Sequence, residues 1–274
     1  MKDPRSTARR VVVISGASSG FGAATAALLA ARGWIVYGGS RRVPAAGAHD
    51  NGVTSFPLDV TSDDSVEAFL ARVSAAEGRL DALVHSAGYC LAGAIEETSL
   101  EEAHAQLETN FFGVCRLTRA ALPSLRASGR GRVVVVSSLA GMIGVPFQGY
   151  YSASKYALEG WVEAMRHEVG PLGVAVSSIA PGDFRTPVTA ARQRCASSVS
   201  AYAGPRERAI ATMEKNELEG PEPGPVASAI VRALESERPA RRYRVGTDAV
   251  WAPRIRRLLP APWFERLIAR AFRL

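Results

Sequence analysis

Three cysteines in 274 residues are too few and too scattered for a disulfide framework. Cys90, Cys115 and Cys195 form neither an even set nor a close metal-ligand spacing, so they read as ordinary thiols of a reducing compartment. Histidine is equally sparse. His85, His104 and His167 have no ligand at metal spacing and no activated nucleophile beside them, which argues against metal or triad chemistry; no metal is expected. Long hydrophobic runs are missing as well: no apolar stretch could span a bilayer. Met1 to Arg10 is polar and basic with no apolar core before Val11, unlike a secretory signal, so the expected setting is cytoplasmic.

Acidic residues run short only at one end. The formal net charge is +7, yet from Arg238 to Leu274 ten arginines face two acidic residues, so this tail carries the whole excess. No recognition helix, zinc ligand set or interleaved aromatic platform accompanies it, and no nucleic-acid partner is expected.

What is present is enough apolar material, 47% of residues, for one sizeable core, and one domain over residues 1–274 is expected. Apolar, β-branched runs recur at Val11 to Ile14, Trp34 to Tyr37, Ala82 to Val84, Arg132 to Val136, Val174 to Ile179 and Tyr243 to Val245, with a further short strand before Asp59. Helical patterns fall between them at Gly20 to Arg32, Ser62 to Glu77, Ser99 to Ser128, Tyr150 to Gly170 and Pro225 to Glu237. Continuous apolar strands alternating with helices predict an α/β protein, a single-domain doubly wound fold whose parallel sheet is covered on both faces. The rhythm breaks over residues 183–224, a long segment of mixed polarity with a helix of its own around Pro205 to Leu218. Its start just after a strand's carboxyl end favours a substrate lid over a surface insertion.

The first strand runs into Ser15-Gly16-Ala17-Ser18-Ser19-Gly20-Phe21-Gly22 and then an Ala-rich helix. Glycines at 16, 20 and 22 permit a tight turn and a close backbone approach to a pyrophosphate at the helix N-terminus, the start of a Rossmann-type dinucleotide site. About 20 residues past the glycines, where a carboxylate would hold a ribose 2′-hydroxyl, the chain reads Gly39-Ser40-Arg41-Arg42. Two guanidinium groups and no carboxylate favour NADP(H) over NAD(H), with solvated loop charges as the bland alternative. Asp59 and Val60 could meet the adenine, or Asp59 could cap the next helix. Ser86-Ala87-Gly88 would let the chain pass close to the cofactor.

Tyr151 and Lys155, four apart, lie nearly above one another on a helix, about 40° apart, whereas Tyr150 is turned about 140° away. That pair can build an acid/base catalyst. Taken in order, Gly16/Gly20/Gly22, Asp59, Ala87-Gly88, Asn110, Ser138, Tyr151 with Lys155, and Pro181-Gly182 with Thr186 resemble the motif set of the short-chain dehydrogenase/reductase family from Val11 to about Val245. Ser15 stands where that family has Thr, and Ser86 where it has Asn. The stretches Tyr151 to Gly160, Arg166-His167-Glu168 and Pro181 to Thr186 look like the branch of 17β-hydroxysteroid and retinol dehydrogenases and their bacterial relatives.

The resemblance implies an oxidoreductase that interconverts an apolar ketone or aldehyde and its alcohol. Tyr151 would be the acid/base, with Lys155 favouring its phenolate and holding the nicotinamide ribose, and Ser138 would bond the substrate oxygen. Asn110 would sit at a local helix distortion with a water leading to Lys155. Ser18, Ser19, Phe21, Ser40, Pro181, Gly182, Phe184 and Thr186 join the cofactor-binding set. Met142, Val145 and Phe147 are expected to wall the substrate pocket, or else to pack in the core. The resemblance also implies a homodimer or homotetramer through the helices around Asn110 and Tyr151. The alternative function is a non-enzymatic NADP(H)-binding sensor or scaffold on the same fold.

In the C-terminal extension 253–274, Trp263, Phe264, Leu267, Ile268, Ala271 and Phe272 form an apolar stripe, with Arg266, Arg270 and Arg273 largely off it. Such a basic amphipathic helix packs on its own domain, on a second subunit or on a membrane surface.

Overall fold

The computed structural model describes residues 9–44 and 47–274; the basic segment 1–10 lies outside the described residues except for its last two. Val11–Ser15 (β1) is buried along its whole length. Successive strand side chains point to opposite faces, so Val11 and Val13 enter one core layer and Val12 and Ile14 the other. With both faces covered by helices, no position in the strand faces water, which is why the run is apolar without alternation.

The chain continues through α1 (Gly20–Ala31), β2 (Ile35–Ser40), β3 (Ala48–Asp50), β4 (Val53–Pro57), α2 (Asp63–Glu77), β5 (Ala82–His85), β6 (Leu91–Ala92), α3 (Leu100–Leu107) and α4 (Gly113–Ala127). Then come β7 (Gly131–Val136), α5 (Gly149–Val169), β8 (Val174–Pro181), β9 (Gln193–Arg194), α6 (Ser200–Glu219), α7 (Gly224–Glu235), β10 (Arg242–Val245), α8 (Thr247–Leu258) and α9 (Ala261–Ala271). The main sheet has the order β10-β8-β7-β5-β1-β2-β4-β3. All its pairings are parallel except that of β3 with β4. The α2, α4 and α5 helices bury Phe69, Leu117 and Leu158 in one layer. On the opposite face α1 and α7 bury Leu29, Ile230 and Leu234. The doubly wound expectation holds. Strand order reverses between β1 and β5, and such a reversal opens a crevice at the strands' carboxyl ends.

Three features depart from the sequence reading. A three-residue strand, β3, adds an antiparallel edge beyond β4. The expected helix from Ser99 to Ser128 is interrupted by a π-helical turn over Glu108–Phe112, at the place where a local distortion around Asn110 is expected. Within the 183–224 segment, β9 pairs with β6, and α6 starts at Ser200, five residues before the proline expected near its beginning. At the C-terminus an additional helix, α8, precedes the expected one and carries Pro253 inside it.

Candidate active site

At the end of β1 the chain turns through Gly16 at φ +72° and Gly20 at φ +53°, the left-handed region that glycine enters without penalty. A Cβ on Gly16 would stand 2.6 Å from the Ala87 amide nitrogen, and one on Gly22 would stand 2.2 Å from the Gly16 carbonyl oxygen. The turn is therefore shaped around the Ser86-Ala87-Gly88 turn that follows β5. Between them lies a cleft of about 380 Å³ lined by Gly16, Ser18, Ser19, Gly20 and Phe21, by Ser40, Arg41 and Arg42 at the end of β2, by Asp59 and Val60, by Ser86, Ala87 and Gly88, and by Tyr151, Lys155 and Thr186. Glycines whose missing Cβ atoms leave backbone room, an α1 N-terminus and this elongated wall fit a dinucleotide.

Arg41 and Arg42 are exposed at the cleft rim. Ser40 donates to the Ser18 hydroxyl at 2.9 Å, tying the tip of β2 to the glycine turn. Asp59 does not cap α2, since Ser62 accepts from Ser65 N there. Its Oδ1 instead accepts from the Thr61 amide and hydroxyl at 2.9 and 2.8 Å. Burial opposes the Asp59 charge, but the Thr61 bonds, Arg41 and Arg116 hold the carboxyl below its usual range.

Lys155 is buried on α5, and its Nζ donates to the Val136 carbonyl at 3.0 Å while lying 5.7 Å from the centre of the Tyr151 ring. Burial pushes its pKa down to about 8, with Cys90 and Glu159 opposing the shift. Burial and the neighbouring Cys90 push the Tyr151 phenol up, and a hydrogen bond with the Ser138 side chain partly offsets them. Burial thus holds Tyr151 as a neutral phenol, the form that can donate a proton. Ser138 caps the single 3-10 turn after β7 through the Ala140 amide at 3.1 Å. Ser137 faces the cleft, with its hydroxyl buried and unpartnered among the described residues.

Asn110 sits in the π-helical turn, one per cent exposed and off the cleft wall. Its Nδ2 donates to the Tyr89 carbonyl at 3.0 Å and to the Ser154 hydroxyl at 3.2 Å, and its Oδ1 accepts from Tyr89 N at 3.1 Å. The amide thus staples the chain after β5 to α5, the element that carries Tyr151 and Lys155. Pro181, Gly182 and Phe184 likewise lie behind the cleft. A Cβ on Gly182 would fall 1.9 Å from the Asp248 carboxylate, which accepts from the Asp183 amide at 2.8 Å, and Phe184 packs edge-on to Phe21. Only Thr186 of that group reaches the cleft.

The expected pocket residues Met142, Val145 and Phe147 do not line the main cleft. Val145 joins Ala92, Ile210, Met213 and Phe272 in a small apolar cluster beneath α6. Phe147 adopts φ +57° and accepts a backbone bond from Gly93. The sequence reading missed the residues of the 183–224 segment that do line it, Val188, Ala191 and Gln193, together with Tyr89 and Thr109. It also missed Arg192. That side chain is 2% exposed, bonds both Glu217 oxygens at 2.5 and 2.6 Å, and reaches the Cys90 sulfur at 3.4 Å. Two-residue strands and a pair 25 positions apart leave no periodic trace by which to find them. His85 is buried against Thr118 at 2.7 Å and pushed down to about 3 by burial, a core residue as its sequence context suggests.

A glycine-turn crevice at the switch point of a parallel sheet, with a tyrosine and lysine on the helix beside it, defines a dinucleotide-binding α/β protein. Residues 10–196 match the short chain dehydrogenase family, and the chain belongs to that family, whose members are oxidoreductases acting on CH–OH groups. It is 38% identical over 244 residues to the 3-ketodihydrosphingosine reductase of Bacteroides thetaiotaomicron, across 86% of this chain and 88% of that one. Among solved structures it is similar to a short-chain dehydrogenase from Streptomyces avermitilis, with 35% identity, a TM-score of 0.79 and 91% and 93% of the two chains covered. It is also similar to an alcohol dehydrogenase from Thermococcus sibiricus complexed with 5-hydroxy-NADP, at 27% identity and a TM-score of 0.70 over 87% and 96%.

Proposed function

We propose that this protein is an NADP(H)-dependent reductase of apolar ketones or aldehydes, reversible as an alcohol dehydrogenase. The observation that carries the proposal is Tyr151 on the wall of a cleft that fits a dinucleotide, with the buried Lys155 Nζ 5.7 Å from its ring centre and the Ser138 hydroxyl close enough to act on the phenol. The bound nicotinamide dinucleotide supplies the hydride. The Ser138 and Tyr151 hydroxyls would together hold a carbonyl oxygen as negative charge develops on it. Tyr151, kept neutral by burial, gives that oxygen its proton. Lys155, an i+4 neighbour on the same helix, stabilises the phenolate left behind until solvent protons restore it.

Arg41 and Arg42, without a carboxylate beside them in the chain, support a 2′-phosphate on the ribose. The 5-hydroxy-NADP held by the Thermococcus alcohol dehydrogenase supports the same choice. For the substrate, the apolar Val188 and Ala191 on the cleft wall and the likeness to a 3-ketodihydrosphingosine reductase support a hydrophobic ketone. Residues 183–224 would then act as a lid. Exposed Phe112 and Tyr156, on the helical face running from the π-helical turn to α5, support assembly as a homodimer or homotetramer. Three unpaired thiols support a reducing, cytoplasmic setting.

NADPH oxidation measured with a panel of long-chain ketones, steroids and retinaldehyde, with NADH in parallel, tests the reading. Tyr151→Phe is expected to lose turnover by at least about 100-fold while still binding NADPH. Tight NADPH binding with no turnover on any substrate would instead favour a nucleotide-binding sensor.

A further inference from the structure

The C-terminal helices carry an apolar face that the protein's own fold covers only in part. In α9 the inner side is seated: Phe264 is buried, and Phe272, just beyond the helix, packs on Ile210 and Met213 of α6. The other half of the same stripe is open, with Trp263 64% and Leu267 43% exposed. On an α-helix Arg266 and Arg270 fall beside these two residues, at spacings of three and seven from Trp263. The preceding α8, two residues upstream, repeats the arrangement. Trp251 and Leu258 are 58% and 81% exposed, seven apart, with the Arg254 guanidinium 5.2 Å from the Trp251 ring centre. None of Arg254, Arg257, Arg266 and Arg270 is paired with a carboxylate among the described residues. No described helix is long and apolar enough to cross a membrane.

We propose that α8 and α9 form a docking surface for an anionic lipid bilayer, on which the protein lies without inserting. Tryptophan and leucine flanked by arginine match the two components of such a surface, an apolar interior boundary and a negatively charged headgroup layer. A second copy of this chain, docked through the same face, would bring its own Arg254, Arg257, Arg266 and Arg270 against these four, whereas anionic lipid is the partner of opposite charge. The helix laid on the lipid is also the one that holds the lid: Arg208 of α6 donates to the Arg273 carbonyl at 2.8 Å, next to the Phe272 contact.

The test is co-sedimentation of the full chain with phosphatidylcholine vesicles with and without phosphatidylglycerol, using Trp263→Ala/Leu267→Ala and Arg266→Gln/Arg270→Gln variants. The wild type is expected to partition at least about ten-fold more strongly onto the anionic vesicles. Each double variant is expected to lose that preference by a similar factor, and rising salt to weaken wild-type binding. Retained NADPH binding shows that the variants are folded, and light scattering is expected to give them the wild-type mass. Failure of the wild type to partition, or variants that partition as the wild type does, would overturn the proposal. So would a change in oligomeric mass on Trp263→Ala/Leu267→Ala, which would assign the face to a second copy. Lipid binding is read without substrate, so it stands or falls separately from the reductase activity.

Discussion

In the proposed reaction Lys155 works only while it carries a charge, and the wall that positions it also weakens that charge. Its pKa lies near 8 against an ordinary value of 10.5, mainly because burial disfavours the ammonium. The cation is therefore complete below pH 8 and lost as pH rises through that value. Tyr151, pushed upward, keeps its proton over the same range. For ketone reduction, kcat/KM is expected to fall as pH rises through about 8, with the descending limb set by the lysine. A Lys155→Arg variant holds its charge throughout and is expected to retain residual activity without that limb. A wild-type profile flat from pH 7 to about 10, the ordinary lysine range, would show that Lys155 is not the titrating group.

At the scale of elements, the 183–224 segment is held down by buried polar pairs more than by apolar area. Glu97, buried at the end of the β6 connection, accepts from the amides of Ala94 and Val199 and pairs with Arg206. Arg192 and Glu217 join the segment's two ends, and Thr189 adds a 2.6 Å bond to the same carboxylate. Removing one partner of such a pair strands the other charge in a low-dielectric site. Glu217→Gln is expected to destabilise the segment by about 3 kcal/mol. Amide hydrogen exchange should then quicken over α6 and the 187–194 stretch while the β1 and β5 amides stay protected. Uniform loss of protection would show that the segment and the core are one cooperative unit. These elements also mark what the sequence shows and what it hides. The parallel strands β1, β2, β5, β7 and β8 are legible because double burial leaves uninterrupted apolar runs, and the Gly16, Tyr151 and Lys155 positions because their spacing is local. The β6–β9 ribbon, the Arg192–Glu217 pair and the approach of Asp248 to Gly182 depend on chain segments 25 to 102 positions apart, and nothing local encodes them.

For the whole molecule, cofactor choice translates into stability, because a ligand that binds only the native state holds it in place. A saturating ligand at a hundred times its Kd adds about 2.7 kcal/mol. In a domain of this size each kcal/mol raises Tm by about 2–4 °C, so NADPH at that level is expected to raise it by about 5–10 °C. Charge-assisted bonds from Arg41 and Arg42 to a 2′-phosphate would be worth about 1.5–3 kcal/mol, which makes NADH about ten- to a hundred-fold weaker. At the same concentration NADH should then give between about a seventh and a half of the NADPH shift. Arg41→Ala/Arg42→Ala should pull the NADPH shift down to the NADH value and leave the NADH shift unchanged, since both side chains are exposed at the rim and support no core packing. Thermal unfolding with the two cofactors in wild type and variant reads all four values. Equal shifts for both cofactors in the wild type would assign the arginines to solvent, and the site would then hold NAD(H) and NADP(H) through the glycine turn and the α1 N-terminus alone.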